Sequence, residues 1–242
     1  MKVPRNQDPR PDQGRIPRSA SVATAVALMV AACLGAPAQI QPMRPPGPGF
    51  CALPDSTLEE YLIAVNVPGS GSSSGVATIH DGRLYVLTNR HNLPPEPDLD
   101  MVELRNKSYA STVATALIAE GRDFGEERYL GFARDYAVLT VRDPDLFAPL
   151  PMFSGRYQGP VVAPSYASRR YQVGRGQQWH RSDLFDELDF SLDIGASGAP
   201  VITCSGEIAG LYTAFILEKD WAQAGFRSLS TPIGRVRAAL GP

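Results

Sequence analysis

The feature that most constrains this chain is a succession of short apolar runs, each about the length of a β-strand. They span residues 61–67, 75–80, 84–88, 101–104, 111–118, 136–141, 159–163, 170–173, 199–203 and 208–217. Many of their residues are β-branched or aromatic, and Gly, Pro, Asp or Asn closes off each run, which is the pattern of strands joined by turns. Helical periodicity is sparse. Residues 55–61 predict a turn of helix, with Ser56 and Thr57 as candidate caps and Glu59 and Glu60 near its start. Residues 232–240 predict a better one, with Pro232 at its start, Arg235 and Arg237 in its body and Gly241 at its end. The chain is therefore all-β with a short C-terminal helix. Its length and its many antiparallel strands suit two small barrels better than one sandwich.

The first residues follow other rules. Residues 1–18 are polar and basic, with Lys2, Arg5, Arg10, Arg15 and Arg18, and the stretch from Ala20 to Leu34 carries no charge. A charged segment followed by a short apolar one is the pattern of an export signal. At about 15 residues the apolar stretch is short for a membrane-spanning helix. Two processing sites compete. Ala36-Pro-Ala38 fits small-x-small cleavage, which sets residues 1–38 apart as a signal peptide. Val30-Ala-Ala-Cys33 resembles a lipobox, in which Cys33 would carry a lipid anchor. Residues 39–50 are proline-rich and read as an extended linker, and the globular domain takes in 51–242. The expected location is outside the cytoplasm, periplasmic or secreted, with a membrane attachment only through Cys33.

Of 23 basic and 25 acidic side chains, residues 1–38 hold five and two. The remainder has 18 basic and 23 acidic, a formal charge of −5. That balance, without a basic patch interleaved with aromatics, argues against a nucleic-acid partner. His80, His91 and His180 do not cluster with cysteines, so no metal site and no cofactor is expected. Cys51 and Cys204 remain in the exported part, and two readings stay open: a disulfide, or two separate buried thiols.

Three stretches carry chemistry. Residues 193–202, Asp-Ile-Gly-Ala-Ser-Gly-Ala-Pro-Val-Ile, set Ser197 on a turn of small residues leading into a strand. Backbone N–H groups of such a turn can converge on an oxyanion. The apolar run from Leu84 ends in Thr88-Asn89 and delivers His91 at its tip. Asp135 stands at the mouth of the strongly apolar run Tyr136 to Val141, where a carboxylate is costly without a partner. A serine hydroxyl needs a base, an imidazole has the right range, and a carboxylate fixes the imidazole's tautomer. Residues 69–75, Gly-Ser-Gly-Ser-Ser-Ser-Gly, read as a flexible turn into a strand and lack the lysine of a phosphate loop.

The order His91, Asp135, Ser197 is that of the chymotrypsin-like double barrel. The stretches 74–79, 87–91, 135–139, 195–200, 206–214 and 230–233 resemble, in order, the motifs of trypsin-like serine peptidases. They are most similar to the HtrA-like branch. The resemblance implies two six-stranded antiparallel barrels and a serine endopeptidase acting on protein or peptide substrates. It implies Ser197 as nucleophile, His91 as general base and Asp135 as its orienter. Gly195 and Ser197 would supply the oxyanion hole. Thr213, Ala214 and Phe215 would pair with substrate and wall the specificity pocket, with Ser191 near its base. That pocket would lack a basal carboxylate, favouring small or medium apolar side chains.

The sequence also departs from the family. Ala196 replaces the aspartate that pairs with a freshly cut N-terminus in the digestive enzymes, and Ala199 replaces a glycine. Asn92 follows the histidine where an apolar residue is usual. Tyr212 occupies the place of the pocket histidine of glutamyl endopeptidases. No PDZ-type domain is expected after Leu240. Two further readings share these residues: a trypsin-fold binding protein of the cell envelope that no longer cleaves, and an esterase with the same triad.

Overall fold

The structure, a computed structural model, describes residues 49–121, 134–167, 170–180, 185–215 and 228–241. The expected export signal, Cys33, the linker up to residue 48 and the end of the last apolar run lie outside the described residues.

A short helix, α1 (Asp55–Glu60), leads into β1 (Leu62–Val67), β2 (Gly71–His80), β3 (Arg83–Thr88), β4 (Glu103–Arg105), β5 (Ser111–Glu120) and β6 (Ala137–Val141). A connection through Pro149 to Met152 then reaches β7 (Gly159–Ala167), β8 (Arg170–His180), β9 (Asp186–Leu188), β10 (Pro200–Thr203), β11 (Ile208–Phe215) and β12 (Ser228–Pro232). Helix α2 (Ile233–Leu240) closes the chain. The strands form two closed antiparallel barrels, ordered β1-β2-β3-β6-β5-β4 and β10-β11-β12-β9-β8-β7. This is the chymotrypsin-like double barrel with a short C-terminal helix.

Three apolar clusters explain why the runs are continuous rather than alternating. Ile63, Val65, Val86 and Leu139 fill the first barrel, and Val161, Leu188, Val201 and Tyr212 fill the second. Val76, Leu87 and Val138 face instead Val162, Ile202 and Leu211 across a seam between the barrels, and Leu58 of α1 with Ile233 and Val236 of α2 seal it. A seam strand such as β3 therefore buries both faces, with Val86 inward and Leu87 outward. A short run buried on both faces reads as unbroken apolar sequence.

Several boundaries differ from expectation. Residues 69–75 are not a flexible turn beyond their first positions: from Gly71 they belong to β2, and Ser72, Ser73 and Ser74 pair with Asn66, Val65 and Ala64. Strands β9 and β12 were not expected, because Asp186-Glu187 and Ser228 to Thr231 read as polar. They are held by backbone pairing to each other, and Asp186 is satisfied by Arg156 at 2.9 Å and by Gln178 at 2.9 Å. Strand β8 runs on to His180 through Gly174 and Gly176. A Cβ at Gly174 would lie 2.3 Å from the Phe190 ring, and one at Gly176 would lie 1.8 Å from Asp189 Oδ1. These glycines let the segment before the Ser197 turn lie flat on the strand. Helix α1 is capped by Pro54 without a side-chain bond, so Ser56 and Thr57 lie inside it. Strand β4 begins at Glu103, after a 3-10 turn over Leu99–Met101.

Cys51 and Cys204 are joined in a disulfide across a sequence separation of 153. Arg175 of β8 secures the same N-terminal segment, donating to the carbonyls of Cys51 at 2.7 Å and Leu53 at 2.8 Å and pairing with Asp55. The domain thus starts on the second barrel before building the first. A cross-link over so long a loop restricts the unfolded chain strongly. Replacing both cysteines by alanine is expected to remove about 2–4 kcal/mol of stability, on the typical scale for such a link. Urea unfolding measures this, and reductant should lower the wild-type midpoint to that of the double variant.

Candidate active site

Thr88, the last residue of β3, and Asn89 have no solvent exposure, and they lead into a single 3-10 turn, Arg90–Asn92. Its three side chains go three ways. The buried Arg90 donates to the carbonyls of Leu93, Pro94 and Pro95 at 2.8–3.0 Å and pairs with Glu120, which fixes the following loop. Asn92 turns into the seam. His91 stands a third exposed, at 33% of its side chain.

Asp135 meets it from the mouth of β6. This carboxylate is fully buried, and both oxygens are engaged. Oδ1 accepts the His91 backbone N–H at 3.0 Å, and Oδ2 lies 2.5 Å from His91 Nδ1. Holding Nδ1 in this way leaves Nε2 as the ring nitrogen without a hydrogen-bond partner among the described residues. A polar network props the pair from beneath. Asn89 Nδ2 donates to the Asp135 carbonyl at 2.5 Å and to Thr213 Oγ1 at 3.2 Å. Thr231 Oγ1 donates to the same carbonyl at 3.3 Å and lies 2.8 Å from Thr213 Oγ1. Asn89 belongs to the first barrel, whereas Thr213 of β11 and Thr231 of β12 belong to the second. The network therefore ties the two barrels beneath the aspartate.

The turn that carries Ser197 approaches from the other side. Gly195 and Gly198 have φ of +97° and +85°, conformations that favour glycine. Ala196, Gly198 and Ala199 spend their N–H groups inside the fold, on the carbonyls of Asp193, Tyr212 and Ala196. The N–H groups of Gly195 and Ser197 have no protein acceptor among the described residues. Ser197 Oγ donates to the Thr213 carbonyl at 3.3 Å, and no hydrogen bond joins it to His91 among the described residues. The Ser197 carbonyl accepts from Ser74 N–H and from Asn92 Nδ2, each at 3.0 Å. A Cβ at Gly198 would meet the Ser74 carbonyl oxygen at 2.1 Å and Thr88 Oγ1 at 2.4 Å. The turn is therefore pressed directly onto the first barrel.

The residues expected around the specificity pocket fall in different settings. Ser191 is exposed. Thr213 is buried, turning its hydroxyl into the network and only its carbonyl toward Ser197. Ala214 and Phe215 form the end of β11, opposite Leu229 and Ser228 of β12. Tyr212 fills the second barrel, and its hydroxyl accepts from Leu192 N–H at 3.0 Å. Burial pushes its phenol upward in pKa, so it stays protonated. Sequence reading missed Thr88, Asn89, Thr231 and Ser74 as supports. The available signal was polar side chains at the ends of apolar strands, where burial demands partners. Among the described residues no group of three or more His, Cys, Asp or Glu is placed to hold a metal ion, and no helix is long and apolar enough to cross a membrane.

Two closed barrels with a histidine–aspartate pair and a glycine-flanked serine at their seam place the molecule in the class of serine endopeptidases. The trypsin-like peptidase domain matches residues 73–211, more than half of the chain, and the chain belongs to that family. Similar solved structures include the Rv3671c protease of M. tuberculosis H37Rv in its inactive form. That match has 17% identity and a TM-score of 0.58, covering 83% of this chain and 98% of that one. A serine endoprotease from Yersinia pestis matches at 19% identity and a TM-score of 0.57, over 77% of this chain and 65% of that one. The thermostable serine protease AL20 from an extremophilic microorganism matches at 11% identity and a TM-score of 0.57, over 77% and 96%. At these identities the likeness is one of fold. No curated protein matches the chain.

The lack of room at Gly198 makes a direct test. Gly198→Ala adds a methyl group at positive φ against backbone oxygen, and about 2–4 kcal/mol of stability should be lost, as for other severe strain sites. A variant with the wild-type urea midpoint would mean that the turn docks elsewhere.

Proposed function

We propose that the protein is an exported serine endopeptidase that cleaves peptide bonds through an acyl-enzyme, with His91, Asp135 and Ser197 as its triad. The observation that carries this reading is the buried Asp135 carboxylate, which grips both the backbone N–H and Nδ1 of a partly exposed histidine.

In this mechanism Ser197 Oγ leaves the Thr213 carbonyl and attacks the substrate carbonyl carbon as its proton passes to His91 Nε2. Asp135 keeps Nδ1–H in place and stabilises the imidazolium without taking the proton. The developing oxyanion accepts from the N–H groups of Gly195 and Ser197, which the fold leaves undonated among the described residues. Each such donor contributes about 3–4 kcal/mol at the transition state. His91 then gives its proton to the leaving amine, and water repeats the sequence to release the acid. Ala196 has no carboxylate, so the turn is held by its own backbone bonds and by the Ser74 and Asn92 donors rather than by an N-terminal ion pair.

The sequence supports the setting of this activity. Residues 1–38 act as a signal peptide, with lipid attachment at Cys33 as the competing outcome, and 39–50 link it to the domain from 51 onward. The disulfide fits an oxidising compartment. The mature N-terminus, read by mass spectrometry, should begin at Gln39 or at a lipid-bearing Cys33.

A fluorophosphonate should label the wild type and fail to label Ser197→Ala. Asp135→Asn should lower kcat by roughly 10⁴-fold, as expected when the imidazole loses its tautomer. Unlabelled wild type would leave the non-cleaving binding protein as the reading. Labelling without cleavage of a mixed peptide library would leave the esterase.

A further inference from the structure

Asn92 has a position that the proposed mechanism does not use. The residue is buried, with 9% relative exposure, beside the exposed His91, and its amide nitrogen donates twice, to Thr88 Oγ1 at 3.0 Å and to the Ser197 carbonyl at 3.0 Å. Thr88 Oγ1 in turn donates to the Ser74 carbonyl at 2.7 Å, and Ser74 N–H donates to the Ser197 carbonyl at 3.0 Å. Ser74, Thr88, Asn92 and Ser197 thus close a ring of hydrogen bonds. It joins β2, β3, the histidine turn and the nucleophile turn.

The two donors to the Ser197 carbonyl are not equivalent. Ser74 belongs to β2 and fixes the nucleophile turn against the barrel wall. Asn92 is adjacent to His91 on one 3-10 turn, so its bond sets the nucleophile's peptide against the base itself. The peptide it holds runs from Ser197 to Gly198, at the point where positive φ and close contact leave no side chain to steady the chain. The carbonyl carbon is bonded to the Ser197 Cα, so a shift of that peptide swings the Cα–Cβ bond and moves Oγ. Among the described residues, no other side chain of the Arg90–Asn92 turn bonds the nucleophile turn.

We propose that Asn92 is a positioning residue that sets the distance and angle between Ser197 Oγ and the His91 ring from the histidine's own turn. The proposal rests on the serine-nucleophile reading above. A misplacement of about 1 Å between reacting groups lowers a rate by roughly 100-fold while ground-state binding persists. The effect belongs to kcat.

The test compares Asn92→Leu, which keeps the branched outline of the side chain but has no donor, and Asn92→Asp, the same shape with oxygens turned toward two acceptors. For Asn92→Leu, kcat on a peptide substrate should fall by about 10- to 100-fold with KM within about twofold, and fluorophosphonate labelling should slow in parallel. Asn92→Asp should lose more, because the Thr88 hydroxyl proton is already given to Ser74. Asn92→Gln, which keeps a donor, should label faster than Asn92→Leu. Asn106→Ala serves as the stability control. Asn106 organises a distant turn by accepting from Ser108 and Ala110 N–H at 3.0 and 3.1 Å. Its variant should lose thermal stability and label at the wild-type rate. Asn92→Leu labelling within twofold of wild type overturns the proposal, as does a rise in KM at unchanged kcat. Slowing by Asn106→Ala equal to that of Asn92→Leu also overturns it, since general loosening would then be the cause. A wild type that does not label removes the serine reading and the proposal together, whereas a labelled wild type with an unaffected Asn92→Leu removes the proposal alone.

Discussion

Burying the Asp135 carboxylate at the junction of two barrels is the constraint that the site depends on. An ionised carboxylate taken out of water is strongly disfavoured unless hydrogen bonds replace its hydration. Here two donors from one residue do so, the His91 N–H and its ring nitrogen. The arrangement works only if the 3-10 turn holds backbone and side chain of His91 in one geometry. That turn is fixed in both directions, by Arg90 on the following loop and by Asn92 in the seam. The aspartate's own carbonyl is held by Asn89 and Thr231. A polar group buried in this way is stabilising only when its surroundings are satisfied, which explains the density of Asn and Thr there.

The seam itself is apolar and shared. Leu87 and Val138 from one barrel meet Val162, Ile202 and Leu211 from the other, and both helices cover its edges. Neither barrel holds these residues alone, since His91 and Asp135 come from the first and the Ser197 turn from the second. The relative placement of His91 and Ser197 is therefore a property of seam packing. Close-packed interiors transmit small displacements rather than absorb them, so a lost methylene in the seam would reach the site. The direct backbone bond from Ser74 N–H to the Ser197 carbonyl and the tight approach of Gly198 to Ser74 show how little play remains.

Much of this was legible in the sequence, and the reasons are physical. Strands with both faces buried, such as β3, write themselves as unbroken apolar runs, so the all-β class and the two-barrel architecture could be read directly. Strands β9 and β12 could not, because their polar side chains are satisfied by distant partners: Asp186 by Arg156, and Thr231 by Thr213 and Asp135. The serine run Ser72–Ser74 read as loose for the same reason, although its backbone pairs fully with β1. His91 stood out at the tip of one apolar run, Asp135 as a carboxylate at the mouth of another, and Ser197 on a turn of small residues leading into a third. Their supports are ordinary residue types whose meaning lies in what the fold brings beside them, and Asn92 was visible only as an unusual neighbour of the histidine. Glycines 174 and 176, which carried no signal in the sequence, make the space in which Phe190 and Asp189 lie.

The bond between Cys51 and Cys204 also bears on the order in which the molecule can be completed. Cys51 must wait for a partner that lies 153 positions further along the chain. A chain made from its N-terminus holds Cys51 open until β10 of the second barrel has been made. Contacts so distant in sequence are slow to form, because the intervening chain must be ordered first. Once made, the link closes a covalent loop from Cys51 to Cys204, with β11, β12 and α2 following it. Separating the two barrels then cannot carry the N-terminal segment away from the β10–β11 turn, and the protein gains a topological memory of its folded arrangement.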